Sequence, residues 1–228
     1  MKRKNLVVRN KAPREGVLYM YGDIYMDSYY DDDITPKQVM EAISSLGEID
    51  TLTIHINSNG GDVFAGVAIK NYLENLGAKI IVYIDALAAS IASVIAMAAD
   101  KGCLFMYSNT MMMIHEPWTY CIGNAKELRE NADKLDEISN ATILKSYMKR
   151  TNLSEDEIKE YMASEKWLSA KEALENGFCD EIIEDISKVD AYKSRISNAF
   201  KNVPNNFINK NMHADEIIKN KLLELELI

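Results

Sequence analysis

Cysteine is scarce. The 228 residues hold three, Cys103, Cys121 and Cys179, an odd number with no short metal-ligand spacing. This argues for a reducing compartment and a packing role for each. Positive charge is short as well. Lys and Arg total 26 against 35 Asp and Glu, a net charge of -9, which argues against a protein whose main work is coating nucleic acid. No long apolar run stands clear of charge. Residues 80–99 are apolar, but Asp85 breaks them, so they read as buried core rather than a membrane span. The basic start Met1-Lys2-Arg3-Lys4 has no apolar segment behind it, so no signal peptide is expected. There is no internal repeat.

What is present begins with a real core. Hydrophobic residues make up 47%, and the length suits one large domain with appendages. The most informative stretch is 80–100. Ile80-Ile81-Val82-Tyr83-Ile84 is the apolar, β-branched run of a buried strand. After Asp85-Ala86-Leu87-Ala88-Ala89, Ser90 opens a small-residue helix through Ile91, Val94, Ile95 and Met97. Asp100-Lys101-Gly102 stops it. Ala88, Ala89 and Ala92 let a substrate or another backbone approach the hydroxyl. Ser90 is then either an N-cap and nothing more, or a nucleophile at a helix start whose free N–H groups suit an oxyanion.

Around this stretch strands and helices alternate. Residues 1–16 read as an irregular polar arm. Strands are expected over 17–21, 51–56, 103–106, 111–114 and 178–183. Thr35-Pro36-Lys37-Gln38 has the capping-box pattern, with proline at the first helical position. Ser154 and Ser169 cap later helices. Asn124 starts a helix that can run to about Arg150, with Leu128, Ala132, Leu135 and Ile138 on one narrow stripe. Such a helix packs on a neighbouring subunit. Asp31-Asp32-Asp33 reads as a solvated turn, because consecutive acids do not converge on a cation. No metal and no cofactor are expected. From Glu184 the composition shifts to Asn, Lys and Ser, and 185–228 reads as a flexible extension with the spacing of an amphipathic helix at its end.

Asn57-Ser58-Asn59-Gly60-Gly61-Asp62 joins a strand to a helix. It has no Walker lysine and lacks the three-glycine fingerprint, so a nucleotide site is not expected. The glycine pair can instead expose N–H groups to a ligand. There are three histidines. His55 lies inside a strand as a packed or hydrogen-bonded residue, and His213 lies in the polar tail. His115 sits just past a strand's carboxyl end, where open α/β sheets collect functional groups. A serine at a strand-to-helix turn, a glycine pair, a histidine at a strand end and an acid near a loop can make a hydrolytic site. The hydroxyl needs a base, the base needs an orienting group, and the tetrahedral intermediate needs two donors.

Four stretches resemble the ClpP family of serine peptidases, in order and in spacing. Ile56-Asn57-Ser58-Asn59-Gly60-Gly61 resembles its glycine loop, with Asn59 where proline is usual. Ala88-Ala89-Ser90-Ile91-Ala92-Ser93 resembles its nucleophile turn, with Ala92 where glycine is usual. Met112-Met113-Ile114-His115-Glu116-Pro117 resembles its histidine strand. Trp167-Leu168-Ser169-Ala170, with Glu172, Ala173, Gly177 and Asp180, resembles the stretch after its catalytic acid. The resemblance covers 17–184 and implies an α/β fold, a ClpP/crotonase-type spiral of ββα units with an appended long helix. It implies Ser90 as nucleophile, His115 as base and Glu165 as acid, where aspartate is usual. It implies backbone N–H groups of Gly61 and Ile91 as the oxyanion hole, substrate contacts at Gly60, Gly61 and Pro117, and a homo-oligomeric ring of seven subunits, single or doubled.

The departures resemble the head maturation (prohead) proteases of tailed phages and prophages. The usual axial-loop segment does not precede the first expected strand. Ala163-Ser164 replaces the family's acid–arginine pair. The expected function is therefore ATP-independent cleavage of capsid or scaffold proteins inside assembling proheads in a bacterial cytoplasm, with neither nucleic acid nor membrane as partner. Three alternatives stay open: a housekeeping peptidase served by an ATP-driven unfoldase, an inactive capsid component, and a crotonase-like acyl-CoA enzyme.

Overall fold

One long strand, β4 (Lys79–Ala89), holds the sheet together. Ile80, Val82 and Ile84 alternate into the core and are each at most 2% exposed, as period-2 patterning requires. β3 (Thr51–Ser58) runs parallel on one side of β4. On the other side β4 changes partner along its length. Val82–Ile84 pair with β5 (Leu104–Tyr107), and Leu87–Ala89 pair with β6 (Met111–Ile114), both parallel. The strand thus continues through 85–89, beyond the apolar run of 80–84.

The computed structural model describes residues 6–28 and 33–184. The extension over 185–228, His213 within it, Asp31 and Asp32 lie outside the described residues. β1 (Leu6–Ala12) and β2 (Glu15–Tyr21) form an antiparallel hairpin, and β2 then pairs parallel with β3. The arm expected over 1–16 therefore contains an edge strand. Its central residues, Arg9, Asn10 and Lys11, are exposed, which is why they do not read as core. Asp33 is 6% exposed, so this member of the acidic run is buried rather than solvated.

β7 (Lys166–Ser169) adds antiparallel to β6, and β8 (Glu181–Ile183) adds parallel to β5. Helices α1 (Pro36–Ser44), α2 (Val63–Glu74) and α3 (Ile91–Ala96) follow β2, β3 and β4. Gly66 of α2 lies so close to α3 that an added Cβ would stand 2.1 Å from Ile91 Cγ1. α4 (Ala125–Ile138), a π turn at Ser139–Ile143 and α5 (Leu144–Met148) run on from one another. Asn124 and Glu127 close a reciprocal capping box at the start of α4. No residue of α4 is buried. α6 (Glu155–Ala163) and α7 (Ala170–Glu175) start at the capping boxes of Ser154 and Ser169.

The mixed α/β architecture is the fold class that the resemblance implies. Cys103 and Cys179 are buried, whereas Cys121 is exposed and has no packing role within the described residues. Among the described residues no helix is long and apolar enough to cross a membrane, and no three metal-ligating side chains converge.

Candidate active site

The carboxyl ends of β3, β4 and β6 lie at one rim of the sheet, where parallel strands deliver their loops. β4 ends in Ser90. Its backbone has φ 54 and ψ −130, a conformation costly for any side chain and common at functional turns. Hydrogen bonds hold it on both sides. Ser90 N–H donates to Met113 O at 2.9 Å, and Ser90 O accepts from Ser93 N at 3.0 Å and from Ser93 Oγ at 2.5 Å. Ser93 is fully buried and 2.7 Å from the Tyr147 hydroxyl. Its one proton goes to Ser90 O, so Tyr147 donates to Ser93 Oγ. Burial pushes the Tyr147 phenol well above its ordinary pKa, which keeps that proton in place.

The Ser90 side chain makes no capping hydrogen bond to α3. Its Oγ lies 2.7 Å from His115 Nε2 instead. The N-cap reading of Ser90 thus gives way to a hydroxyl–imidazole pair. His115 follows the last residue of β6. Burial lowers its pKa, and the Glu165 charge opposes that shift in part. β6 and β7 explain the proximity of Glu165. Ile114 stands opposite Lys166 in their antiparallel register, so the next step outward sets His115 against Glu165. Glu165 is 8% exposed, with its backbone at φ 51. Its N–H donates to Met162 O at 3.1 Å, and Trp167 Nε1 lies 3.5 Å from its Oε1.

The glycine loop lies against the Ser90 turn. A Cβ on Gly60 would stand 2.7 Å from both Ala89 O and Ser90 Cβ, so only glycine fits. Gly60 N–H donates to Ser58 Oγ at 3.1 Å, and its carbonyl accepts from Ile24 N at 2.8 Å. Gly60 therefore packs against the Ser90 turn and braces Ile24. Gly61 is exposed at φ 142, and a Cβ there would stand 2.0 Å from Ile24 O. Asp62 N–H donates to Ile24 O at 2.7 Å. Neither the Gly61 N–H nor the Ile91 N–H has a hydrogen-bond partner among the described residues. Pro117 lines a cavity together with His115 and Glu165.

Ser90 and His115 are thus in contact, Glu165 is beside the imidazole, and Gly61 and Ile91 are at the same rim. The sequence reading missed three supports: Ile24, Ser93 and Tyr147. Only Ser93 carried a local hint, three residues after Ser90. His55 belongs elsewhere. Its ring stacks between Tyr19 and Tyr83, and its Nδ1 lies 2.9 Å from Asp85, which also accepts from the Tyr21 hydroxyl. Asp85 is buried by this pairing, which explains a carboxylate in an apolar strand.

A serine hydroxyl on an imidazole at a strained strand-to-helix turn has the form of a hydrolase site. The Clp protease family model matches residues 10–186, and the chain belongs to that family. It is 30% identical over 160 residues to the ATP-dependent Clp protease proteolytic subunit of Porphyromonas gingivalis, covering 67% of this chain and 70% of that one. It is 28% identical over 177 residues to the ATP-dependent Clp protease proteolytic subunit 2 of Thermobifida fusca, covering 75% and 85%. Subunit 1 from Chlamydia muridarum is 29% identical over 163 residues, covering 68% and 84%.

Proposed function

We propose that the chain is a serine endopeptidase with Ser90 as nucleophile, His115 as general base and Glu165 as the orienting acid. The 2.7 Å contact between His115 Nε2 and Ser90 Oγ carries this reading. His115 takes the hydroxyl proton as Oγ bonds to the scissile carbonyl carbon. The carbonyl π pair moves to oxygen, where the Gly61 and Ile91 N–H groups receive it. The imidazolium then protonates the leaving amine as the C–N bond breaks, and water repeats the sequence on the acyl-enzyme. A lowered His115 pKa keeps the imidazole neutral near pH 7. The Glu165 carboxylate stabilises the imidazolium that forms. A fluorophosphonate probe tests the site. It should add one label per chain, at Ser90; a label at Ser93, or none on folded protein, overturns the reading. An inactive capsid component or a crotonase-like acyl-CoA enzyme would leave the serine–histidine contact without a use.

For the biological role we propose cleavage of phage capsid or scaffold proteins during head assembly, without an ATP-driven unfoldase. Asn59, Ala92, Ala163-Ser164 and Glu165 support it as departures from the housekeeping pattern, and so does the polar composition of 185–228. Confinement in a shell supplies high effective concentration, so weak intrinsic affinity suffices. The relatives' names favour the second reading, a housekeeping subunit working with an ATP-dependent partner. Co-expression with the neighbouring capsid gene separates the two. Capsid or scaffold protein should shorten only when Ser90 is intact, without added ATP. Cleavage that requires an unfoldase and ATP selects the second reading.

A further inference from the structure

Two adjoining cavities run from His115 along α6. The first, about 370 Å³, sets the apolar surfaces of Pro117, Trp118, Met162 and Ala163 beside Glu116. The second, about 410 Å³, shares Glu116, Met162 and Ala163 and adds Asp136 from α4 and Glu160 from α6. Glu116 stands where they meet. Its N–H donates to Met162 O at 3.2 Å, which fixes the backbone. Its carboxylate is exposed and has no partner among the described residues, and the same holds for the carboxylates of Asp136 and Glu160. Lys159 also lines the second cavity, but its ammonium is held by Glu155 at 2.5 Å. The passage beside the catalytic histidine therefore offers an apolar wall and then three carboxylates whose charge is not met among the described residues.

We propose that Glu116 is a specificity-determining residue that selects a lysine or arginine side chain close to the scissile bond. This rests on the serine-endopeptidase reading and goes further by naming the substrate chemistry. The aliphatic stem of such a side chain lies along Pro117, Trp118 and Ala163, and its cation reaches the carboxylate at the junction. Asp136 and Glu160 strengthen the local negative potential. A neutral side chain of equal length gains the stem contact only. A substrate carboxylate is repelled.

The test is a competition between peptides that differ at one position, lysine against its uncharged isostere norleucine, scanned through the residues on both sides of the cleaved bond. Both peptides are offered in one mixture, so the ratio of their kcat/KM values does not depend on the active fraction. The intact chain should favour lysine about tenfold at one position, the scale of a charge-assisted contact. The preference should fall at 0.5 M salt. Glu116→Gln should bring the ratio to near one, and Glu116→Lys should turn the preference to glutamate. Asp136→Asn with Glu160→Gln should weaken it in part. Cleavage with no charge preference, or a preference that Glu116→Gln leaves unchanged, overturns the inference and leaves the peptidase reading standing. Failure to cleave any peptide, together with no fluorophosphonate label on Ser90, overturns both.

Discussion

His115 stands against Glu165 because β6 and β7 are antiparallel and their last register pair is Ile114 with Lys166. Neither residue belongs to a regular element, yet the strands behind them fix their separation. The Glu165 backbone, just before β7, adopts φ 51.

Glu165→Gln should therefore lower turnover while keeping the fold. Removing the acid's charge from a triad costs up to ~10⁴-fold. The sign of the pH shift follows from the His115 environment. Burial lowers that pKa and the Glu165 charge raises it. The wild-type acid limb should lie below the ordinary histidine value of about 6.5. With the charge removed, it should move to still lower pH as the plateau falls. An unmoved limb with less than about tenfold loss would place the acid elsewhere.

Ser90→Ala and Ser90→Gly should both abolish turnover and labelling, but they should differ in stability. Alanine keeps the cost of a Cβ at φ 54, whereas glycine does not. Positive φ costs an L residue about 1–2 kcal/mol, and glycine's greater unfolded-state freedom returns about 0.4–1 kcal/mol. Urea unfolding should rank the glycine variant above the alanine variant by up to about 1.6 kcal/mol.

Ser93→Ala removes the hydroxyl donor to Ser90 O, which keeps its bond from Ser93 N–H, and leaves the Tyr147 hydroxyl buried without its partner. That loss should cost about 1–3 kcal/mol. Labelling should stay on Ser90 but slow, because the turn that aims its hydroxyl is less well held. Tyr147→Phe should cost less, since Ser93 keeps its bond to Ser90.

The apolar stripe of α4 has no buried residue within the described residues; Leu135 and Ile138 are half-buried, and Leu128 is 42% exposed. A ring assembly would cover it. Replacing Leu128 and Leu135 with charged residues should then yield smaller species by light scattering, because the substitutions bury charge at the contact. A wild-type monomer with full activity would remove this expectation.

Helix starts were legible in the sequence because capping is local. Thr35 with Gln38, Ser154 with Glu157 and Ser169 with Glu172 each lie within one turn. The contact between Ser90 and His115 was legible through the resemblance, since their types and spacing carried it. β1 was not, because Arg9, Asn10 and Lys11 look like loop until Val17 and Gly16 pair with the first two. The second half of β4 hid behind Asp85, whose burial depends on Tyr21 and His55 in two other strands. Ile24 carries no signal at all. Its role comes from its backbone, which brackets Gly61 from 37 positions earlier in the chain.

The order in which the site's parts leave the ribosome follows from the strand that brings Glu165 to His115. Glu165 is made 75 residues after Ser90, a delay of roughly 4–15 s at bacterial synthesis rates. On the triad reading proposed above, a nascent chain holds Ser90 and His115 without Glu165 until β7 can add to β6, so it gains its full catalytic set only after β7 has emerged.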